Sequence, residues 1–523
     1  MTRRGPVLDR RGFLRLGSLG ALGIGALGMG TTACGFVEAA DSTPPHYITP
    51  TDPEIAAAEE ARGWNGRLAA FALTAAPATV DLGGRFVDTW SYGGKAVAPE
   101  LRVTAGDRMQ VAVRNELPAD TTVHWHGIRI RNDMDGAAPA TQAPIGPGTD
   151  FGYEFVVPDP GTHWYHSHSG LQADRGLFGA LVVEDPNDAS GADVDAVLVL
   201  DDWVDGLGTT PDAVLMALNP EISGGHAGHG GGAAPMVHTA DSLGVAQSFV
   251  AGGHGSSEPL GGMTQHIGYP LHLINGRPPN DPEVVTAAPG ARVRLRIVNA
   301  AAETPYRVAV AGHELTVIAA DGFDVVPTTT DTLIVGMAQR YDVLVTLRSG
   351  AWPVVAKVEG RDGYASTVLR STDAAPLPNP DVGGAVPELS GRLLPESALR
   401  PAEAVRLDTR SPDRDYRVEL IQAGDRYVWG MAGRDAGKLV MRQGERIRIT
   451  MANTTTMWHP MHTHGHTFAV PDYGGLRRDT VNVLPGTELA VEFDADNPGE
   501  WMFHCHNAYH FEAGMTANLR YIR

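Results

Sequence analysis

Two repeated stretches, and the lack of any long amphipathic helical pattern between them, predict an all-β chain made of three versions of one unit. The first stretch occupies residues 106–115, 290–299 and 444–453. Each copy opens on glycine (Gly106, Gly290, Gly444), places arginine two residues on (Arg108, Arg292, Arg446), alternates apolar residues, and closes on asparagine (Asn115, Asn299, Asn453). Alternation with a period of two marks a strand with one face on a core. The second stretch is a turn, Pro147-Gly148-Thr149 or Pro485-Gly486-Thr487, followed by an apolar strand at 151–157 or 489–493. In the middle copy, residues 336–340 stand in for the turn ahead of a strand at 341–347. Short strands punctuated by Gly and Pro turns point to sandwiches or barrels.

A length of 523 residues suits about three domains of ordinary size. Composition shifts divide the chain into a leader at 1–39, units at 40–187, 188–375 and 400–523, and a linker at 376–399. The linker contains Pro376, Pro378, Pro380, Pro387 and Pro395 and is expected to be extended and semi-rigid. Within the middle unit, residues 224–268 are rich in Gly and contain His226, His229, His238, His254, His266, Met236 and Met263. Too few apolar residues occur there to pack a core, so a mobile, solvated loop is expected. A copper-collecting flap is the sharper alternative, since His and Met both suit copper.

At the N-terminus, Arg10-Arg11 within residues 9–15 forms a twin-arginine pattern, followed by a Gly- and Ala-rich apolar run at 16–30. That run is shorter than the ~20 residues of a comfortable bilayer span and reads as a signal for export in the folded state. The destination would be the periplasmic space, the cell envelope or the exterior. Two processing routes fit: lipidation at Cys34, which follows Thr32-Ala33 in a lipobox-like order, or cleavage after Ala39. Cys505 is the only other cysteine, so the body has no disulfide framework. The net charge of −20 argues against nucleic acid as a partner, and a monomer is expected.

The chemistry lies in the histidines. His124-Trp125-His126 follows the first repeat strand, and His459-Pro460-Met461-His462-Thr463-His464 follows the third. Further pairs, His166-Ser167-His168 and His504-Cys505-His506, occupy matching late positions in the first and last units. The middle unit has Thr304 to Arg307 and Trp352 to Val354 at the corresponding places and no such pair. On a strand, His-x-His puts two imidazoles on one face and the intervening residue on the other. Four pairs supply eight imidazoles, too many for one metal, and the repeat predicts a cluster between the first and last units. Cys505 then faces away from His504 and His506 toward a second site. His510 and Met515 follow it, and His459 is the leftover imidazole. Thiolate, two imidazoles and a thioether form the ligand set of a blue-copper centre. Zinc sites need only three or four ligands, fewer than are present.

Through these motifs the chain resembles a three-domain, laccase-like multicopper oxidase over essentially its whole length after the leader. The resemblance implies three cupredoxin-like Greek-key barrels and four copper ions. It further implies a type 1 ion on His459, Cys505 and His510 with Met515 axial, a type 2 ion on His124 and His462, and a type 3 pair on His126, His166, His168, His464, His504 and His506. The implied activity is one-electron oxidation of phenols or aromatic amines coupled to four-electron reduction of O2 to water. Cu(I) is the alternative donor, and metal sequestration without turnover is the non-enzymatic alternative. Oxygen reduction consumes protons, and a carboxylate near the cluster is the natural source. Asp135 matches the family's acidic position after the first motif, with Asp133 as fallback. Where many bacterial relatives have Glu after the type 1 His, this chain has Phe511, with Glu512 one residue further. Met457 and Met461 flank His459 and read either as Cu(I) ligands or as core filler.

Overall fold

Each repeated stretch forms a central strand: Arg108–Asn115, Arg292–Asn299 and Arg446–Asn453. Each lies between a parallel neighbour (Leu68–Asp81, Val194–Trp203, Arg414–Gln422) and an antiparallel one (Asp150–Val156, Arg340–Thr346, Glu488–Asp494). In the computed structural model, residues 45–221, 239–373, 376–377, 386–424 and 426–523 are described. The leader at 1–39, including Cys34, and the histidines and methionine at 226–238 lie outside them. Among the described residues, no helix is long and apolar enough to cross a membrane.

The signature residues of the repeat have local reasons. Gly106, Gly290 and Gly444 all take left-handed backbone, at φ +86°, +84° and +88°, a conformation that only glycine adopts without strain. Each closing asparagine makes the same three bonds. Asn115 Nδ2 donates to the carbonyls of Ala119 and Ile145 while its Oδ1 accepts from Leu117 N. Asn299 does so with Thr304, Val335 and Ala301, and Asn453 with Met457, Val483 and Thr455. The side chain thereby satisfies backbone groups where the strand turns into the loop that bears histidines in the first and last units.

A second sheet faces each of these. In the first unit its order is Leu101–Thr104, Phe178–Glu184, Gly161–His166, His124–His126. In the last it is Val440–Met441, Thr516–Tyr521, Glu500–Cys505, His459–Thr463, Thr480–Val483. The middle unit has the equivalent strands Ala351–Val358 and Tyr306–Val310, without histidine. Its repeat strand departs from simple alternation: seven of the eight residues of Arg292–Asn299 are buried. One face serves its own core, and the other meets Trp164, Phe178 and Ala180 of the first unit through Val298.

Two expectations need correction. Residues 239–268, the described part of the segment read as a mobile loop, are folded. They form the helix Ala240–Ala251, capped by Thr239 Oγ1 accepting from Ser242 N, and a two-stranded ladder of Ser256–Ser257 with Gly262–Met263. Ala246, Leu260 and Ile267 are buried in the main core, so a few apolar residues at the right spacing sufficed where overall composition looked too polar. Residues 386–399, the later part of the stretch expected to be an extended, semi-rigid linker, pack onto the middle unit. Leu393–Leu394 adds a parallel edge strand to Thr332–Leu333 of the middle unit, and Val386, Leu389 and Leu399 are buried. Counting prolines hid this apolar spacing.

Candidate metal centres

The two outer units bring their histidines together by strand register. His124 pairs with His166 across the first unit's sheet, and His462 pairs with His504 across the last unit's sheet. All eight imidazoles of the four pairs then meet between the units. His124 stacks on His464, with ring centroids 3.8 Å apart and planes at 22°. His126 stacks on His462 at 3.8 Å and 19°, so each stack takes one ring from each unit. Donor atoms of His126, His166 and His506 lie within 4.8 Å of one another, as do those of His168, His464 and His504, and of His124, His126 and His462. His506 is half-buried and the other seven are buried.

Hydrogen bonds orient six of the eight rings. The carbonyl of Asp135 accepts from His124 Nδ1 at 2.9 Å, and its carboxylate Oδ2 accepts from His464 Nδ1 at 2.8 Å. Asp479 does the same from the other side: its carbonyl accepts from His462 Nδ1 at 2.9 Å and its Oδ1 from His126 Nε2 at 3.2 Å. His166 Nδ1 donates to the Ser167 carbonyl, and His504 Nδ1 to the Cys505 carbonyl, both at 2.9 Å. What remains inward are lone pairs. Nε2 of His124, His166, His462 and His506 and Nδ1 of His126 are buried with no hydrogen-bond partner among the described residues. His464 Nε2 and His504 Nε2 stand 3.0 Å apart, although each ring's proton is already committed through Nδ1. Two facing lone pairs at that separation repel unless a cation lies with them.

Burial depresses the pKa of His166 to about 3 and pushes His126, His168, His462, His464 and His506 well below the usual imidazole range, with neighbouring histidines adding to the effect. The rings are therefore neutral and able to ligate. A set of buried, neutral, converging imidazoles fits a cluster of nitrogen-loving metal ions.

The second site is built on the other face of residues 504–506. Cys505 Sγ lies 3.8 Å from His459 Nδ1 and 3.7 Å from His510 Nδ1, and the two nitrogens are 3.1 Å apart. Thr455 Oγ1, whose own proton serves Asn453 Oδ1 or the Met457 carbonyl, accepts from His459 Nε2 at 2.8 Å, leaving Nδ1 as a lone pair. His510 sits in the short helix Ala508–Glu512, whose first turn is capped by Asn507 Oδ1. Met515 is fully buried and is tied to the site by its backbone, donating to the His510 carbonyl at 3.0 Å and accepting from Cys505 N at 3.1 Å. Burial pushes the Cys505 thiol up, so a bound cation is what would hold it as thiolate.

Neither imidazole of this second site is exposed. Trp429 lies over His510, with centroids 4.1 Å apart, and His266 lies 5.6 Å from it, its Nδ1 3.2 Å from Glu303 Oε1. A segment read from composition as a solvated loop thus reaches the site's outer wall. Met457 and Met461 are both fully buried in the core.

Asp135 is buried between two histidines, whereas Asp133 pairs with Arg131 at 2.6 Å and is partly exposed. Phe511 packs its ring on His504 and His168, at 4.7 and 5.2 Å, so an apolar side chain fills that flank of the cluster. Glu512 is half-buried and faces Asp212; burial and that neighbour raise its pKa to about 7. The sequence reading missed Asp479, Thr455 and Arg340, which pairs with Asp479. The only signal for Asp479 was an acidic residue downstream of a His-x-His, and it stands 17 residues from its histidine where Asp135 stands 11.

Three paired β-sheet units, with a histidine cluster shared by the outer two and a Cys505/His459/His510 group next to it, make donor sets that fit copper. Sequence profiles described as multicopper oxidase match residues 75–188, 256–374 and 410–522. The chain is 41% identical to multicopper oxidase MmcO of Mycobacterium tuberculosis over 99% of its own length and 98% of that protein. It is 26% identical to copper resistance protein A of Escherichia coli, over 86% of this chain and 92% of that one. A multicopper oxidase crystal structure from Pseudomonas thermotolerans superposes with a TM-score of 0.62 at 25% identity, over 87% of this chain and 99% of that one. The chain belongs to the multicopper oxidase family. It is an all-β, cupredoxin-like oxidoreductase that uses copper and couples oxidation of a reducing donor to reduction of O2.

Proposed function

We propose that His459, Cys505, His510 and axial Met515 hold a type 1 copper, that His124 and His462 hold type 2, and that His126, His166, His168, His464, His504 and His506 hold the type 3 pair. The observation that carries this is the facing of His464 Nε2 and His504 Nε2 at 3.0 Å, with both Nδ1 protons committed elsewhere. Copper, when bound, supplies one-electron storage, so that four single-electron donations can meet one O2. The chain's own part is to connect the sites and to deliver protons. Cys505 is covalently flanked by His504 and His506, and the Cys505 carbonyl accepts from His504 Nδ1, giving a bonded and a hydrogen-bonded path between the two sets of donors. Asp135 is the carboxylate placed to hold and move a proton beside His464 Nδ1.

Phenols or aromatic amines are the proposed donors, with electrons reaching His510 through the buried wall of Trp429 and His266 that covers it. Cu(I) is the second reading, favoured by the same cover: an ion needs no aromatic platform, and a relative at 26% identity is named for copper resistance. Arg10-Arg11 and the apolar run after it support export by the twin-arginine route, with Cys34 as a lipid anchor if the leader is cut before it. The test is oxygen uptake by copper-loaded protein with a methoxyphenol and with Cu(I). The reading requires a blue colour that bleaches with donor and returns in air; colour without turnover would leave sequestration as the function.

A further inference from the structure

We propose that Arg340, a residue of the middle unit, which contributes none of the histidines of the cluster, is a positioning residue for that cluster and acts through Asp479. The inference rests on the copper reading above. Arg340 is fully buried at the start of the strand Arg340–Thr346. Its Nη1 and Nη2 donate to Asp479 Oδ1 and Oδ2 at 2.7 and 2.5 Å, and its Nε donates to the Thr162 carbonyl at 3.0 Å. One guanidinium thus joins all three units at a point directly behind the cluster. Asp479 passes the constraint on, its Oδ1 accepting from His126 Nε2 and its carbonyl from His462 Nδ1.

The clamp is reciprocal. Asp321 of the middle unit accepts from Arg478 Nη1 at 3.0 Å and from Thr480 N at 3.3 Å, so residues 478–480 are gripped on both sides of Asp479. Asp321 also accepts from the backbone N of Arg340 at 2.9 Å, which links the two halves of the grip. The residue after His126 makes room for it: a Cβ on Gly127 would lie 2.5 Å from Arg340 Nη2 and 2.8 Å from Asp479 Oδ2.

The geometry has a chemical consequence. An oxygen that accepts from His126 Nε2 fixes the ring's proton there and leaves Nδ1, buried and without a partner among the described residues, as the inward lone pair. Holding that oxygen in place takes a planar fork that engages both carboxylate oxygens at once, which arginine provides and lysine does not. A buried ion pair is poor evidence for stability alone. Here the pair ends on two cluster histidines. On this view the middle unit is needed by the oxidase for the arginine it delivers.

The test uses the full copper-loaded chain carrying Arg340→Met, Arg340→Lys, Asp479→Asn, or Arg340→Met with Asp479→Asn. Copper per chain and the electron paramagnetic resonance signal of the cluster copper are measured, with the blue absorption of the Cys505 site as an internal control of folding. Arg340→Met is expected to keep the blue absorption while the affinity of the cluster for copper falls about 10- to 100-fold. Arg340→Lys is expected to fall between it and wild type, and the double variant to be no worse than Asp479→Asn alone. Wild-type copper content and signal in Arg340→Met, or additive losses in the double variant, would overturn the proposal. If Arg340→Met does not fold, Arg340→Lys decides: an altered cluster signal beside an intact blue band supports the role, and an unchanged one ends it. Wild-type protein that takes up no copper would instead refute the copper reading beneath it.

Discussion

His464 Nδ1 stands 2.8 Å from the carboxylate of Asp135, a contact between residues 329 apart in sequence and contributed by different units. The same aspartate holds His124 through its carbonyl, so it orients one ring from each unit. Asp135→Asn keeps the shape and removes the acid. Turnover is expected to fall on the order of 10²-fold, the scale of a lost general acid, with the blue absorption unchanged. Steady-state oxygen uptake across pH beside the visible spectrum checks this; unaltered turnover at every pH would assign Asp135 a purely structural role.

Trp429 covers His510 with ring centroids 4.1 Å apart, and its indole is almost fully buried. Trp429→Ala is expected to destabilise the fold by about 3–5 kcal/mol, the usual cost of emptying an aromatic site. It is also expected to lower KM for a bulky methoxyphenol by opening the ring edge of His510. Thermal melts and donor kinetics on the same sample separate the two effects.

His163 and His272 are buried outside the proposed ligand set, and burial lowers their pKa to about 4 and about 3. His272 Nδ1 donates to Tyr306 Oη at 2.9 Å, while both ring nitrogens of His163 lack a partner among the described residues. Because the folded-state pKa lies below the unfolded value of about 6.5, the unfolded chain binds more protons in between, and stability falls as pH drops. Each residue is expected to contribute a loss of about 1.4 kcal/mol per pH unit below that value until its folded pKa is reached. Neither residue is a proposed copper ligand, so melting temperature should decline with acid in loaded protein as well. His272→Gln should flatten the slope by one residue's share.

Asn299 closes the repeat strand of the middle unit with three hydrogen bonds, all to buried backbone. Asn299→Ala is expected to cost roughly 3 kcal/mol, about one per bond lost. Since that unit holds no proposed ligand, denaturant midpoints should fall while the blue absorption of the folded fraction is preserved.

What the sequence revealed and what it hid follow from where the information lies. Cys505, His459, His510 and the four His-x-His pairs were legible because ligand chemistry is written in residue type, and period-two alternation tells which neighbours share a face. The meeting of the outer units was legible because the middle copy lacks histidines at the same repeat positions. Asp479 and Arg340 were not, since a carboxylate and a guanidinium at unmatched spacings carry no signature until the fold brings them together. The helix Ala240–Ala251 was missed because its buried contacts, such as Ala246, depend on spacing rather than on apolar content. The edge strand Leu393–Leu394 was missed because it lies among prolines.

The central claim is that one cysteine joins two metal centres, and Cys505→Ser tests it most directly. Copper content, visible spectrum and donor-driven oxygen uptake are measured on wild type and variant loaded identically. The structure predicts loss of the blue absorption and of donor oxidation, with the cluster copper retained on His124 to His168 and His462 to His506. Blue colour or undiminished uptake in the serine variant would contradict the account.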